Sequence, residues 1–292
     1  MSVFRRFGDF LSLVKFSHTI FALPFALLGF FLAVLDQGIW TWQQLLLVVL
    51  CMVFARSAAM AFNRWQDRDI DGKNPRTAVR EIPAGTISSR SALLFIFVNC
   101  TLFIVATGLL NSLCLYLSPV ALLVILGYSY TKRFTYLCHF VLGLGLALAP
   151  VGAYVAVTAQ FALLPVLYGL VVLFWVAGFD IIYALQDESF DREESLFSIP
   201  VRLGTVRALR LGRLLHLVCA GVLVYAISLQ ASLYPEFEWL SLFAGLVFLS
   251  CLVYQHSLVK PGDLSRVNLA FFTTNGIASV VFGALTIMDI YF

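Results

Sequence analysis

Apolar stretches of about twenty residues recur along nearly the whole chain. A helix needs about this length to cross the roughly 30 Å hydrocarbon core of a bilayer. Only 12% of the 292 residues are charged and 61% are hydrophobic, whereas soluble domains carry roughly 25% charged residues. Because backbone polar groups need internal partners in lipid, the apolar segments must be helices. The sequence therefore predicts an all-α, polytopic membrane bundle.

Nine segments have the length and composition of membrane-spanning helices. They lie at about residues 17–35, 42–64, 91–110, 112–131, 135–157, 162–184, 208–230, 236–257 and 267–290. Two of the connections on one side are long, at residues 65–90 and 185–207. We expect a single transmembrane domain over residues 1–292 with its functional site at the boundary where these two loops lie.

The distribution of Lys and Arg predicts the orientation of the bundle. The loops on one side contain Arg5, Arg6, Lys15, Lys132, Arg133, Lys260 and Arg266, whereas the loops near Asp36, Asn111, Thr158, Glu236 and Asp289 contain no Lys or Arg. By the positive-inside rule, the N-terminus and both long loops are cytoplasmic and the C-terminus is outside, in a cell inner membrane. The net charge of +3 follows from this topology, so we expect no nucleic-acid partner, and no obligate protein partner is indicated.

Charged residues are concentrated in the first long loop and are arranged at helical spacing. The segment from Asn63 to Pro83 holds nine of them, and the neighbouring apolar runs hold only Arg56. Asn63, Asp67 and Asp71 follow one another at four-residue intervals, which places them within one ~80° arc of a helix. The pattern predicts a polar face that continues out of the second span.

The second long loop repeats this arrangement. Asp187 and Asp191 are four residues apart, and Asp180 lies seven residues before Asp187. Carboxylates at this spacing repel one another, so the pattern requires compensating positive charge. Carboxylate and amide oxygens are ligands for Mg²⁺, which also binds substrate phosphates. We expect Asn63, Asp67, Asp71, Asp187 and Asp191 to hold Mg²⁺ against a diphosphate. The alternative is two acidic helix ends that are solvated and paired with nearby arginines.

Basic residues near both motifs are candidate phosphate ligands. Arg76 and Arg80 follow the first motif, and guanidinium groups bind phosphate oxygens in a bidentate manner. Lys132 closes the fourth span on the same helix face as Tyr128, four residues earlier. The positive-inside bias alone also explains cytoplasmic basic residues, although it explains Lys132 less well.

Arg56 lies inside the second span, about 10 Å deeper along the helix than Asn63. A charge at that depth normally faces the bundle interior or a water-filled cavity. Its partner is either Asp180, which is also embedded, or an anionic group of a substrate, such as a carboxylate.

Three motifs together resemble those of the UbiA superfamily of intramembrane aromatic prenyltransferases. They are Asn63-x-x-x-Asp67-x-x-x-Asp71, Lys132-Arg133-Phe134-Thr135, and Asp180-Ile-Ile-Tyr-Ala-Leu-Gln-Asp187-x-x-x-Asp191. The resemblance covers nearly the whole chain and is greatest for bacterial 4-hydroxybenzoate polyprenyltransferases and for the related group that acts on dihydroxynaphthoates. The first motif departs from many relatives in having Arg64, rather than an acidic residue, after Asn63.

The resemblance implies an Mg²⁺-dependent reaction of quinone biosynthesis, in which a polyprenyl diphosphate prenylates the ring of an aromatic acid. The expected acceptor is 4-hydroxybenzoate, and a dihydroxynaphthoate is the alternative. The implied catalytic residues are Asp67, Asp71, Asp187, Asp191 and Lys132, and the implied substrate-binding residues are Asn63, Arg56, Arg76, Arg80, Tyr128 and Asp180. The bilayer suits the long isoprenoid tail.

Two other function classes fit the sequence less well. A transporter with Arg56 and Asp180 in its pathway predicts broken helices or charge at the membrane midplane, whereas charge here gathers at one boundary. A membrane phosphotransferase acting on nucleotide-linked alcohols predicts a single compact Gly/Asp cluster, whereas this chain has two motifs 120 residues apart, counted from Asp67 to Asp187.

Overall fold

The computed structural model describes residues 8–10, 12–13 and 21–291, and this part of the chain is almost entirely helical. Besides the helical residues 8–10 and 12–13, it contains twelve α-helices and no strand beyond an isolated bridge between Lys260 and Asp263. The helices are α1 (Leu23–Gln37), α2 (Trp42–Gln66), α3 (Arg68–Lys73), α4 (Ser89–Leu110), α5 (Ser112–Thr131), α6 (Cys138–Thr158), α7 (Leu163–Ala184), α8 (Glu188–Glu193), α9 (Ile199–Leu203), α10 (Thr205–Leu233), α11 (Leu240–Leu258) and α12 (Asn275–Met288).

The predicted all-α membrane bundle is confirmed. Eight helices in the described residues are long and apolar enough to cross a membrane, and α12 reaches this length together with the π-helical turn Leu269–Thr274 that precedes it. The first predicted span corresponds to α1, which is apolar but has only 15 described residues. The number nine is therefore approximate. Arg5, Arg6, Lys15 and the start of the first predicted span lie outside the described residues.

Local sequence signals account for several helix ends. Thr41 begins α2 with a capping box, in which its hydroxyl accepts from the Gln44 N–H while the Gln44 side chain accepts from the Thr41 N–H. Asn111 caps α5 by accepting from the Cys114 N–H at 2.9 Å. The Asn111 amide also donates to the Val155 carbonyl at 2.9 Å, which ties the turn between α4 and α5 to the end of α6.

Small residues allow the helices of the bundle to approach closely. A Cβ placed on Gly29 of α1 would lie 2.1 Å from the carbonyl oxygen of Pro150 in α6, and one on Gly143 of α6 would lie 2.6 Å from that of Leu173 in α7. Glycine at such contacts lets backbones pack together, which is how membrane helices gain much of their contact area.

Helix α7 is the central helix of the bundle and is packed by α6 on one side and α10 on another. Its Trp175 is fully buried and makes ring contacts with Phe25 of α1 and Phe248 of α11, and Phe25 stacks on Phe282 of α12. Burial of these aromatic rings fixes the position of α7, and therefore of the acidic motif that follows it.

Candidate active site

Both acidic motifs lie where a membrane-spanning helix breaks. Helix α2 ends at Gln66, and Asp67 joins it to α3 with φ −93° and ψ 2°. Helix α7 ends at Ala184, and after a 3₁₀ turn Asp187 leads into α8 with φ −104° and ψ 4°. The two motifs thus share one backbone geometry at their matching aspartates.

The sequence pattern predicted an uninterrupted helix through Asn63, Asp67 and Asp71, and this is wrong at Asp67. The four-residue hydrogen bonds nevertheless continue across the break: the Asp67 N–H donates to the Asn63 carbonyl at 2.9 Å, and the Asp71 N–H donates to the Asp67 carbonyl at 2.7 Å. The three side chains therefore stay stacked on one side, as the spacing indicated.

Asp67 is buried and is held by the basic pair at the end of α5. Its side chain is 3% exposed, Lys132 Nζ lies 2.6 Å from Asp67 Oδ2, and Arg133 Nη2 lies 3.6 Å from Oδ1. Asn63 donates to Oδ2 at 3.3 Å. Burial raises the pKa of the Asp67 carboxyl, and the positive charges of Lys132 and Arg133 oppose that rise.

Asp71 is bound by an arginine of its own loop. Arg80 Nη1 donates to both carboxylate oxygens, at 2.7 and 2.8 Å. Arg64, the residue that departs from the family pattern, is only 5% exposed and lies in the electrostatic environment of Asp71, Arg80 and Glu81. Arg64 therefore contributes buried positive charge near Asp71 of the first motif.

The two long loops meet at Asp187. Arg76 of the first loop donates to Asp187 Oδ1 through Nε at 3.1 Å and to Oδ2 through Nη2, and the Asn74 amide donates to Oδ1 at 3.4 Å. Arg76 Nη1 also donates to the Tyr183 hydroxyl at 3.3 Å. Burial lowers the pKa of the Arg76 guanidinium, but Asp187 and Tyr183 outweigh burial and leave that pKa raised. The structure thus brings together motifs that are far apart in sequence.

A second ion pair joins the two long loops, and Asp191 lies close to the residues already described. Lys73 contacts Glu194 through their charged ends. Asp191 lies beside Ser198 and within electrostatic range of Asp187 and Lys132. The four aspartates predicted to bind Mg²⁺, with Lys132, Arg76 and Arg80, are therefore at one end of the bundle.

Deeper in the bundle, Tyr128 lies within electrostatic range of Arg56, Asp67 and Asp180. Arg56 forms no hydrogen bond or ion pair with any described residue, and its Nε is buried without a partner. Arg56 and Asp180 therefore do not pair with each other, which removes the first of the two expectations for Arg56. Asp180 instead pairs with His139 of α6, whose Nδ1 is 2.6 Å from Asp180 Oδ2.

The donor set fits a hard divalent cation, although the ligands are not gathered around one point. No group of three or more His, Cys, Asp or Glu side chains in the described residues is arranged to hold a metal ion, because each first-motif carboxylate and Asp187 faces a basic side chain. Asp67 Oδ1 is buried and accepts no hydrogen bond. A buried carboxylate oxygen without a donor is the kind of atom that a bound Mg²⁺ would satisfy.

Several residues of the site were not predicted from the sequence as contacts. They are Asn74 and Glu194, which join the loops, Arg133, which faces Asp67, and His139, which orients Asp180. The sequence does offer a sign of the contact made by His139. An imidazole inside an apolar span needs a polar partner, and Asp180 is an acidic residue embedded in another span.

The chain matches the model of the UbiA prenyltransferase family over residues 22–277. The chain belongs to this family. It is 33% identical over 252 residues to the 4-hydroxybenzoate octaprenyltransferase of Aliivibrio salmonicida, covering 86% of each protein. It is 32% identical over 247 residues to the enzyme of that name from Tolumonas auensis, covering 82% of each. The chain is therefore a multi-pass membrane prenyltransferase.

Solved structures of UbiA homologues share the fold of this prenyltransferase. The apo structure of a homologue from Aeropyrum pernix K1 superposes with a TM-score of 0.83 at 31% identity, covering 94% of this chain and 98% of that one. A homologue from Archaeoglobus fulgidus bound to DMAPP and Mg²⁺ has a TM-score of 0.70 at 21% identity, covering 97% and 99%.

Proposed function

We propose that this UbiA-family enzyme transfers a polyprenyl group from a polyprenyl diphosphate to the ring of an aromatic acid in quinone biosynthesis, with 4-hydroxybenzoate as the acceptor. The observation that carries the proposal is the meeting of two oxygen-rich helix breaks, joined by Arg76 and Asp187, above Arg56, which has no partner among the described residues. The names of the relatives at 32–33% identity support the choice of acceptor.

The diphosphate and its magnesium ions would bind at the two helix breaks. Asn63, Asp67, Asp71, Asp187 and Asp191 have the hard oxygen donors that Mg²⁺ requires. When bound, Mg²⁺ would supply positive charge that stabilises the departing diphosphate. The Mg²⁺ and DMAPP named for the homologue from Archaeoglobus fulgidus support this assignment.

The ion pairs of the site would exchange partners when substrate binds. Lys132, Arg80 and Arg76 now neutralise Asp67, Asp71 and Asp187 respectively. Phosphate oxygens offer the same cations bidentate acceptors, and the carboxylates released by that exchange become free to bind metal. The existing salt bridges thus hold both kinds of ligand in place before the substrate arrives.

The acceptor would bind below the diphosphate, where the bundle is apolar. Arg56 would bind its carboxylate, because a guanidinium whose buried Nε has no partner among the described residues favours an anion. Ionisation of the allylic C–O bond places negative charge on the diphosphate, and the electron-rich ring then attacks the allylic cation. Water must be excluded because it would capture the cation.

We also propose that the N-terminus and both long loops lie on the cytoplasmic side and the C-terminus outside. The concentration of Lys and Arg at the end of the bundle that holds the acidic motifs supports this orientation. Soluble diphosphate would then be released into the cytoplasm, while the prenyl tail stays in the bilayer.

The proposal is tested by product identification. Membranes containing the enzyme are incubated with Mg²⁺, a radiolabelled polyprenyl diphosphate and either 4-hydroxybenzoate or a dihydroxynaphthoate. We expect ring-prenylated 4-hydroxybenzoate with the wild type and none with Asp191→Asn. Product from the naphthoate alone would reassign the acceptor, and no ring-prenylated product from either acceptor would refute the proposed reaction.

A further inference from the structure

The carboxylate of Asp180 is held by an imidazole whose protonation is determined by its other contact. The Ile199 N–H donates to His139 Nε2 at 3.3 Å. Since Nε2 accepts a hydrogen bond, the proton of a neutral His139 lies on Nδ1, from which it is donated to Asp180 Oδ2 at 2.6 Å. The His139 side chain is 3% exposed, so this arrangement is shielded from solvent.

Asp180 lies at the depth expected for the acceptor ring. It is seven residues before Asp187 in α7, and Arg56 is seven residues before Asn63 in α2. At 1.5 Å per residue, both lie about 10 Å below the acidic motifs. A ring whose carboxylate pairs with Arg56 would therefore lie at the same depth in the bundle as Asp180.

Asp180 differs from Asp67 in what neutralises it. Asp67 is paired with Lys132 and Arg133, whereas no Lys or Arg of the described residues pairs with Asp180. Its partner is His139, which is neutral because its Nε2 accepts the Ile199 N–H and carries no proton. The Asp180 side chain also remains 22% exposed, which leaves its other oxygen open to a bound molecule. A carboxylate that is oriented but not neutralised is suited to accept a proton.

We propose that Asp180 is the base that removes the ring proton during prenyl transfer and that His139 is its positioning residue. This inference rests on the proposed function. The electron pair of the broken allylic C–O bond leaves with the diphosphate, and a π pair of the ring forms the new C–C bond. The proton on that ring carbon then passes to Asp180, and the C–H electron pair restores aromaticity. Asp180 returns the proton to solvent when product leaves.

The test compares ring-deuterated with unlabelled 4-hydroxybenzoate as acceptor. In Asp180→Asn, we expect kcat to fall on the order of 10²- to 10⁴-fold, as for loss of a general base. We also expect a primary isotope effect on kcat that is larger than in the wild type, because proton loss becomes rate-limiting. A residue with a merely structural role would lower activity without changing the isotope effect.

His139 provides a matched pair of variants. The amide of His139→Gln can donate to Asp180 and accept from the Ile199 N–H, so we expect it to retain most of kcat, with an isotope effect close to that of the wild type. His139→Leu can do neither, and we expect it to lose activity and to show the enlarged isotope effect. Should Asp180→Asn fail to fold, His139→Leu supplies the same comparison.

The outcomes separate this inference from the proposed function. If the wild type forms no ring-prenylated product, the proposed function fails. If the wild type forms product and Asp180→Asn or His139→Leu loses activity with an unchanged isotope effect, the proton-acceptor role is overturned while the proposed function stands. Loss of activity in His139→Gln equal to that in His139→Leu would overturn the positioning role.

Discussion

Replacing Arg56 by methionine should make the protein more stable and the enzyme less able to use its acceptor. Arg56 lies inside α2, forms no hydrogen bond or ion pair with any described residue, and has a buried Nε without a partner. A buried donor left unsatisfied costs about 1–3 kcal/mol. Methionine has a similar length and no donor, so we expect Arg56→Met to raise the free energy of unfolding by at least about 1 kcal/mol.

The effect on the acceptor should have the opposite sign. A hydrogen bond to a charged group contributes about 1.5–3 kcal/mol, and a factor of ten corresponds to 1.4 kcal/mol. If Arg56 binds the acceptor carboxylate, Arg56→Met should raise KM for 4-hydroxybenzoate about 10- to 150-fold. The KM for the polyprenyl diphosphate should change little, because the phosphate ligands at the helix breaks are untouched.

The assay measures initial rates with each substrate varied in turn, and thermal unfolding of the purified protein in detergent. A phenolic acceptor without a carboxyl group serves as the control. Its rate of prenylation should be almost equal in the wild type and the variant, because it offers Arg56 no carboxylate to bind. Arg56→Lys keeps the charge and should recover part of the acceptor affinity. Lower stability together with equal rises in both KM values would refute the reasoning and make Arg56 a structural residue.

Three further outcomes are expected. Asp67→Asn should lower Mg²⁺-dependent transfer by more than about 100-fold without preventing membrane insertion. The control Asp69→Asn should remain active, because the Asp69 side chain is 80% exposed. Retained turnover in Asp67→Asn would contradict the metal-binding role of Asp67. Chelation by EDTA should abolish transfer and added Mg²⁺ should restore it, as followed by release of diphosphate. Gly29→Ala places a Cβ 2.1 Å from the Pro150 carbonyl oxygen and should cost about 1–3 kcal/mol of stability. Gly127→Ala lies inside α5 with nothing within 4 Å of its Cβ, so its unfolding temperature should equal or exceed that of the wild type.

Most of the fold was readable from the sequence because the bilayer allows few alternatives. A run of twenty apolar residues must be helical there, and the predicted span 112–131 matches the helix Ser112–Thr131. The first span is the least well matched, since the helix described there covers Leu23–Gln37. The bounds agree best at the turn between α4 and α5, where Asn111 caps the second of the two helices.

The residues of the site were also readable, but their partners were not. Four-residue spacing put Asp67 and Asp71 on one side of a helix end, and the structure keeps them there. No local pattern indicates that Arg76 reaches Asp187, 111 residues away, or that Asp180 faces His139 rather than Arg56. These contacts depend on how α2, α6 and α7 pack, and packing is decided by contacts such as that between Gly143 and Leu173.

Ion pairs to residues outside each motif explain how its carboxylates are tolerated at four-residue spacing. Carboxylates at four-residue spacing destabilise a continuous helix, and each motif is interrupted at its central aspartate. Each central aspartate is then neutralised from a distant part of the chain, Asp67 by Lys132 and Asp187 by Arg76. Tertiary ion pairs therefore hold the two loops together, and in the proposed reaction the same cations would become available to bind phosphate oxygens.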